Sequence, residues 1–237
     1  MYRNTFLSVM FLACCFNGSL CAQSDAQIYE RTCDAKTYPF SDPSPVATPN
    51  NSYYPYFRFD GFSMQAQEKQ WKMVVLENDY VKLTVTPEIG GKIWGAIDKV
   101  NNKEFVYTNG VVKFRDVAMR GPWTSGGIEF NFGIIGHAPT CSTPIDYLTK
   151  KNVDGSVSCH IFSYEWITRT VWNVEINLPK DKAYFTTHTT WFNQSSIDQP
   201  YYQWMNAGYA TKTGTRFYYP GTYSIGHSGD LHPYPID

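Results

Sequence analysis

An alternation of apolar and polar residues restricts the fold of this chain more than any other feature of its sequence. The segment Val81–Thr86 alternates strictly and ends at Pro87, which cannot donate a hydrogen bond inside a sheet. A glycine pair then predicts a bend, and Lys92–Asp98 is predicted as the next strand. Further strands are predicted at 104–107, Val157–Glu165, 168–178, 183–193, 201–211 and 216–219. Since no segment has the 3.6-residue period of an amphipathic helix, the sequence predicts an all-β fold dominated by antiparallel pairs.

Residues 120–140, with the sequence RGPWTSGGIEFNFGIIGHAPT, are the strongest candidate for a functional site. If this segment contains a strand, alternation places Glu129 and Asn131 on the face opposite three apolar residues. The flanking glycines allow backbone to approach a ligand closely. A carboxylate and an amide on one face suit a pocket for a polar, ring-shaped ligand.

Glu129 and His137 are the predicted catalytic residues. A carboxylate among apolar neighbours is suited to general-acid use, so Glu129 is the first candidate. The alternative is that Glu129 forms a structural ion pair with Arg120. Arg120 itself is predicted either to orient ligand hydroxyls or to hold Glu129 in place. His137 follows a glycine at a loop edge, where it either contacts a ligand or only caps the loop.

A second segment adds an aromatic surface to the predicted site. Trp204 and Asn206 share one face of a predicted strand with Tyr202. These rings either form a stacking platform beside an amide or pack in the core. The predicted substrate-binding residues are therefore Arg120, Asn131, Trp204 and Asn206.

The composition favours a neutral polar ligand. A net charge of −1 gives no reason to expect a nucleic acid as a partner. Charged residues make up 17% of the chain, below the roughly 25% of average domains, while aromatic residues reach 17%. Sugars fit this composition because aromatic rings stack on their C–H faces and amides bind their hydroxyls. The alternative is that the aromatic residues fill a β-sheet core.

The sequence gives no reason to expect a cofactor or a metal. It contains no nucleotide-binding loop, dinucleotide fingerprint or serine-hydrolase motif, and no cysteine and histidine spacing typical of zinc sites. Three of the six cysteines lie within the first 22 residues, which leaves Cys33, Cys141 and Cys159. An odd number cannot pair fully within one chain; secretion would permit a bond between Cys141 and Cys159, but their separation in the sequence does not show one.

The chain divides into three predicted regions. Residues 1–22 have the charged start, apolar stretch and small residue before the cleavage point of a secretory signal peptide, so a secreted or periplasmic protein is expected, with a lipoprotein as the alternative. No run is long enough for a membrane span. Residues 23–63, rich in proline and tyrosine, are predicted to be an irregular leader or strap, and 64–237 to be the β domain. The sequence ends without a closing strand, which predicts a fragment or half of a larger sandwich.

Two groups of motifs resemble a known family. Residues 76–85 (LENDYVKLTV) and 87–94 (PEIGGKIW) look like the opening hairpin of galactose-mutarotase-like β-supersandwiches. The segment 120–140, with WMNA at 204–207, resembles the DUF5107 family within that group. The resemblance implies an antiparallel β-supersandwich and a carbohydrate ligand. Proteins of this family often carry helical repeats after this domain, so an additional C-terminal domain is expected in a longer protein.

The resemblance does not carry over catalytic roles. Aldose epimerases of this fold use a histidine acid and a glutamate base late in the domain, but the last glutamate here is Glu175, and no segment matches that motif. Glycoside hydrolysis needs a second carboxylate near Glu129, for which Asp146 and Asp230 are the candidates. We therefore expect an exported carbohydrate-active domain, of glycosidase or epimerase type. The alternatives are a non-catalytic carbohydrate-binding module and a structural β-sandwich of a larger protein.

Overall fold

The computed structural model describes residues 24–41, 61–117, 122–132, 137, 139–165, 168–211, 213–226 and 228–234. The predicted signal peptide, Arg120 and residues 42–60 of the predicted strap lie outside these described residues. Two short 3-10 helices occur, at Pro87–Ile89 and Pro139–Cys141. Among the described residues there is no α-helix, and no helix has the length and apolar character needed to cross a membrane.

Strands make up most of the regular structure and are numbered here in chain order. They are β1 Gln27–Tyr38, β2 Gln67–Glu77, β3 Val81–Thr86, β4 Lys92–Asp98, β5 Lys103–Val106, β6 Val112–Lys113, β7 Arg115–Asp116, β8 Pro122–Trp123, β9 Ile128–Phe132, β10 Asp146–Lys151, β11 Val157–Glu165, β12 Thr170–Leu178, β13 Thr186–Asn193, β14 Gln203–Ala207, β15 Tyr223–Ile225 and β16 Leu231–Pro233.

Two sheets pack face to face and confirm the predicted all-β sandwich. The large sheet has the order β14-β9-β4-β3-β2-β1-β6, with β5 also paired to β4, and the small sheet has the order β10-β11-β12-β13. Neighbouring strands are antiparallel except for β1 and β6. Phe132 of the large sheet stacks on Trp172 of the small sheet, with ring centroids 4.6 Å apart. This stack lies in the buried apolar core between the sheets.

A β-bulge decides which residues of β4 face the core. Thr84 pairs with Gly95 and Val85 pairs with Ile93, so Trp94 is the extra residue on β4. Ile93 packs in the core between the sheets, whereas Trp94 packs in a second apolar cluster. The bulge therefore turns Trp94 to the outer face of the large sheet, which is the face away from the small sheet.

The prediction of an irregular leader over 23–63 is wrong for Gln27–Tyr38, which forms the twelve-residue strand β1. This strand pairs with β2 from Gln27 opposite Glu77 to Thr37 opposite Gln67. The prolines that suggested an irregular segment all follow Tyr38, so they do not interrupt this strand.

The predicted strand at 216–219 is also wrong, because these residues lie outside the strands. Phe217, Tyr218 and Tyr219 are all more than half exposed, so the segment buries no face against a sheet. In this part of the chain, β15 and β16 instead form a separate two-stranded sheet.

The sequence leaves the pairing of Cys141 and Cys159 open, and in the structure they do not form a disulfide. Both thiols are free, as is that of Cys33. Cys159 packs in the core between the sheets, whereas Cys141 lies in the second 3-10 helix with its Sγ beside the carbonyl oxygen of Pro122. The two cysteines therefore belong to different layers of the structure.

Candidate functional site

The candidate site lies on the outer face of the large sheet, where β9 and β14 are neighbours. All five residues of β9 are buried, and its three apolar side chains face the core as predicted. Glu129 and Asn131 therefore project from the outer face. In the antiparallel register, Asn206 lies opposite Glu129 and Trp204 lies opposite Asn131. Because opposite residues on paired strands project from the same face, these four side chains meet.

Glu129 is the centre of this group. Its Oε1 accepts hydrogen bonds from Asn131 Nδ2 at 2.7 Å and from Asn206 Nδ2 at 3.4 Å, and it lies 2.9 Å from His137 Nδ1. The residue is only 2% exposed. Within the described part of the chain, the buried Oε2 has no hydrogen-bond partner. Burying a carboxylate costs free energy of folding, and the cost is larger when one of its two oxygens lacks a hydrogen bond. Proteins tolerate this cost most often at functional sites.

His137 is held in a strained and partly open position. Its backbone φ is 51°, in the left-handed region that non-glycine residues rarely adopt. The imidazole contacts Trp204 and Trp123 edge-on, at centroid distances of 5.1 and 6.1 Å, and its side chain is 18% exposed. A carboxylate at Nδ1 favours the tautomer with the proton there, which makes Nε2 the free acceptor. This arrangement suits proton transfer at Nε2.

A buried lysine on β4 completes the site. Ile93 pairs with Ile128, so the register places Lys92 across from Glu129 on the same outer face. The Lys92 ammonium donates to the carbonyl oxygen of Thr124 and lies 3.2 Å from its hydroxyl oxygen. Desolvation lowers the pKa of this lysine, which is 1% exposed, while the charge of Glu129 opposes the shift.

The nearby thiol of Cys141 is not suited to nucleophilic chemistry. Burial, with a smaller contribution from the negative charge of Glu129, raises the pKa of Cys141 to about 12. At neutral pH the residue is therefore a neutral thiol, and the thiolate is the reactive form of cysteine. Cys141 serves here as a small buried group behind the site.

Comparison with known proteins places the chain in a family. Residues 48–237 match the model of the family described as "Domain of unknown function (DUF5107)". The chain belongs to this family. It is also similar in structure to a TPR-domain containing protein from Parabacteroides distasonis, with 27% sequence identity and a TM-score of 0.70. That similarity covers 78% of this chain and 32% of the other chain, so this DUF5107 chain spans about a third of the length of that protein.

The structure of the DUF5107 domain brings together five of the six predicted site residues: Glu129, His137, Asn131, Trp204 and Asn206. The sixth, Arg120, lies outside the described residues, so the predicted pair between Arg120 and Glu129 stays a prediction. The sequence interpretation missed Lys92. One signal for it was present, because Lys92 directly follows two glycines and precedes the uncharged run 93–97 (IWGAI), a run typical of a buried strand.

The glycines beside the site bring backbone segments together. Gly127 has φ 65°, its amide donates to the carbonyl of Tyr107, and its carbonyl accepts from the amide of Gly208. A Cβ on Gly127 would lie 2.3 Å from the carbonyl oxygen of Ile93. The close approach of the backbone at Gly127 is therefore to the neighbouring strand β4, and the predicted approach to a ligand stays a prediction.

Replacing Gly127 with alanine is expected to lower the free energy of unfolding by about 2 kcal/mol or more, because both the positive φ and the contact with β4 oppose a side chain. Urea unfolding measures this loss. Gly214→Ala is the matched control, since Gly214 has φ 88° but no atom within 4 Å of an added Cβ. Equal losses in the two variants would contradict the role assigned to the contact between Gly127 and β4.

Proposed function

We propose that this DUF5107 domain is carbohydrate-active and binds a neutral sugar at the outer face of β4, β9 and β14. The observation that carries the proposal is the pair of Glu129 and His137, in which a buried carboxylate holds a partly exposed imidazole between two tryptophan rings. Aromatic rings stack on the C–H faces of sugars, and amides such as that of Asn206 bind hydroxyls. The site offers both kinds of group within one small area.

The reaction that this pair supports best is proton transfer at a sugar, as in epimerisation or isomerisation. Glu129 at Nδ1 orients the ring and leaves Nε2 of His137 to take or give the proton. Glu129 thus acts through His137. Two-carboxylate hydrolysis has less support, because Asp146 lies exposed on the small sheet and Asp230 lies exposed before β16.

A non-catalytic sugar-binding module is the second candidate. It is favoured by the deep burial of Glu129 and Asn131, which are 2% and 0% exposed. A carboxylate whose Oε1 is shared by two amides and an imidazole also suits a structural role in the site. In this case the partly exposed Trp204 and Asn206 bind the ligand without converting it.

A panel of neutral mono- and oligosaccharides tests the proposal. Calorimetry measures binding, and NMR spectra of the same mixtures over time measure products. We expect saturable binding of at least one sugar and the appearance of a product of that sugar over time. Binding without any product would favour the binding module, and the absence of binding across the panel would contradict the carbohydrate proposal.

We also propose that the sandwich is of the galactose-mutarotase type and that the protein is exported. The hairpin of β3 and β4, with its bend at Gly90 and Gly91, supports the first statement, and the signal-peptide features of residues 1–22 support the second. Mass spectrometry of the protein recovered from its natural host tests export. A mature chain that begins at Gln23 is expected, and an intact Met1 would contradict export by this signal.

A further inference from the structure

Lys92 is one of the few charged side chains buried in this domain. Among the described residues, the buried carboxylates and ammonium groups belong to Lys92, Glu129 and Glu165. Glu165 accepts hydrogen bonds from the backbone and hydroxyl of Thr168, which fixes a turn away from the site. The other two lie across from each other on β4 and β9. Two of these three buried charges, of opposite sign, therefore belong to the same site.

The placement of the two charges makes each one the counter-charge of the other. An isolated buried ammonium or carboxylate costs so much free energy that such a group ordinarily takes or loses a proton. Desolvation lowers the pKa of Lys92, and the negative charge of Glu129 raises it in return. Thr124 fixes the ammonium from the other side through its carbonyl and hydroxyl oxygens.

We propose that Lys92 is a positioning residue of the site, whose ammonium keeps Glu129 ionised so that this carboxylate holds His137 at Nδ1. The inference rests on the proposed function, because it explains how the proton-transferring imidazole is oriented. Lys92 itself does not touch a ligand in this account, since it is 1% exposed.

Among the described residues around Glu129, only three side chains determine the net charge of the site. From β14, Asn206 and Trp204 carry no charge. From the second 3-10 helix, Cys141 is a neutral thiol because its pKa is raised to about 12. Within the described part of the chain, the protonation of the site is therefore shared by Lys92, Glu129 and His137.

The imidazole Nδ1–H signal of His137, recorded by NMR at neutral pH in the absence of sugar, tests the inference, because this group contacts Glu129. In Lys92→Met the carboxylate loses its counter-charge and is more readily neutralised, so the hydrogen bond from the imidazole to Glu129 should weaken and its downfield Nδ1–H signal should move upfield or disappear. Lys92→Arg keeps the charge and should stay near the wild type. Lys82→Met is the matched control, because Lys82 is a partly exposed lysine on the adjacent strand β3. A folded Lys92→Met variant whose Nδ1–H signal stays at the wild-type position would overturn the proposal.

A second measurement decides the matter even if Lys92→Met does not fold. The side-chain carbon signal of Lys92 reports its own titration in the wild type and in Glu129→Gln, which keeps the shape of the side chain. Since the Glu129 carboxylate raises the pKa of Lys92, the pKa should fall further in this variant. An unchanged pKa would overturn the proposal. Neither measurement uses a sugar, so failure here is distinct from failure of the sugar panel.

Discussion

Replacing Glu129 with glutamine is expected to lower turnover of the sugar by at least about 100-fold, because the amide cannot carry the charge that orients and stabilises the His137 imidazole. The Kd of the sugar should change by less than about tenfold, since Glu129 is buried and, in the proposed reaction, acts on the ligand only through its contact with His137. Rates from time-resolved NMR and affinities from calorimetry give the two quantities separately.

The small sheet offers a matched control for this substitution. Glu175 lies 3.7 Å from His160 and is partly exposed on β12, so Glu175→Gln removes the same charge from another glutamate–histidine pair. That variant should keep the turnover of the wild type. A Glu129→Gln variant with unchanged turnover would contradict the catalytic role of the pair, whatever the control shows.

Replacing Trp172 with alanine is expected to lower the free energy of unfolding by about 3–5 kcal/mol, the cost of removing a fully buried aromatic side chain. Trp172 is 0% exposed and stacks on Phe132, so the substitution would leave a cavity between the two sheets. Chemical denaturation measures the loss, and thermal unfolding should show a Tm lower by roughly 10 °C.

Phe192→Ala on the adjacent strand β13 is the control for Trp172→Ala. Phe192 is also aromatic but 60% exposed, so its removal should cost less than about 1 kcal/mol. If Trp172→Ala destabilised the protein no more than this control, the contact between the sheets at Phe132 would not be the centre of the core.

The strands with strict alternation could be predicted from the sequence. The bounds of β3 and β11 match their predicted ranges, β3 because it alternates strictly and stops at Pro87, and those of β4 also match, although a bulge interrupts its alternation. Strand β1 could not be predicted in this way. Its residues are mostly exposed, and it is held by backbone pairing with β2 more than by a buried apolar face.

Site residues that share one strand could be predicted from the sequence, whereas contacts between residues on different strands could not. Alternation alone placed Glu129 and Asn131 on one face, as the structure confirms. The register between β9 and β14, which brings Asn206 to Glu129, is set by pairing over more than seventy residues of sequence and leaves no local pattern. The position of Lys92 in the site could not be predicted for the same reason, since its neighbours lie on β9 and at Thr124.

An NMR footprint of a bound sugar on the wild-type domain would show whether the ligand lies at Glu129 and His137. If the sugar binds at the outer face of β9 and β14, its addition should shift the indole N–H signals of Trp123 and Trp204 and the imidazole signals of His137. The indole of Trp172, buried between the sheets, should not move. Shifts confined to residues away from Glu129 and His137, with these signals unchanged, would contradict the site described here.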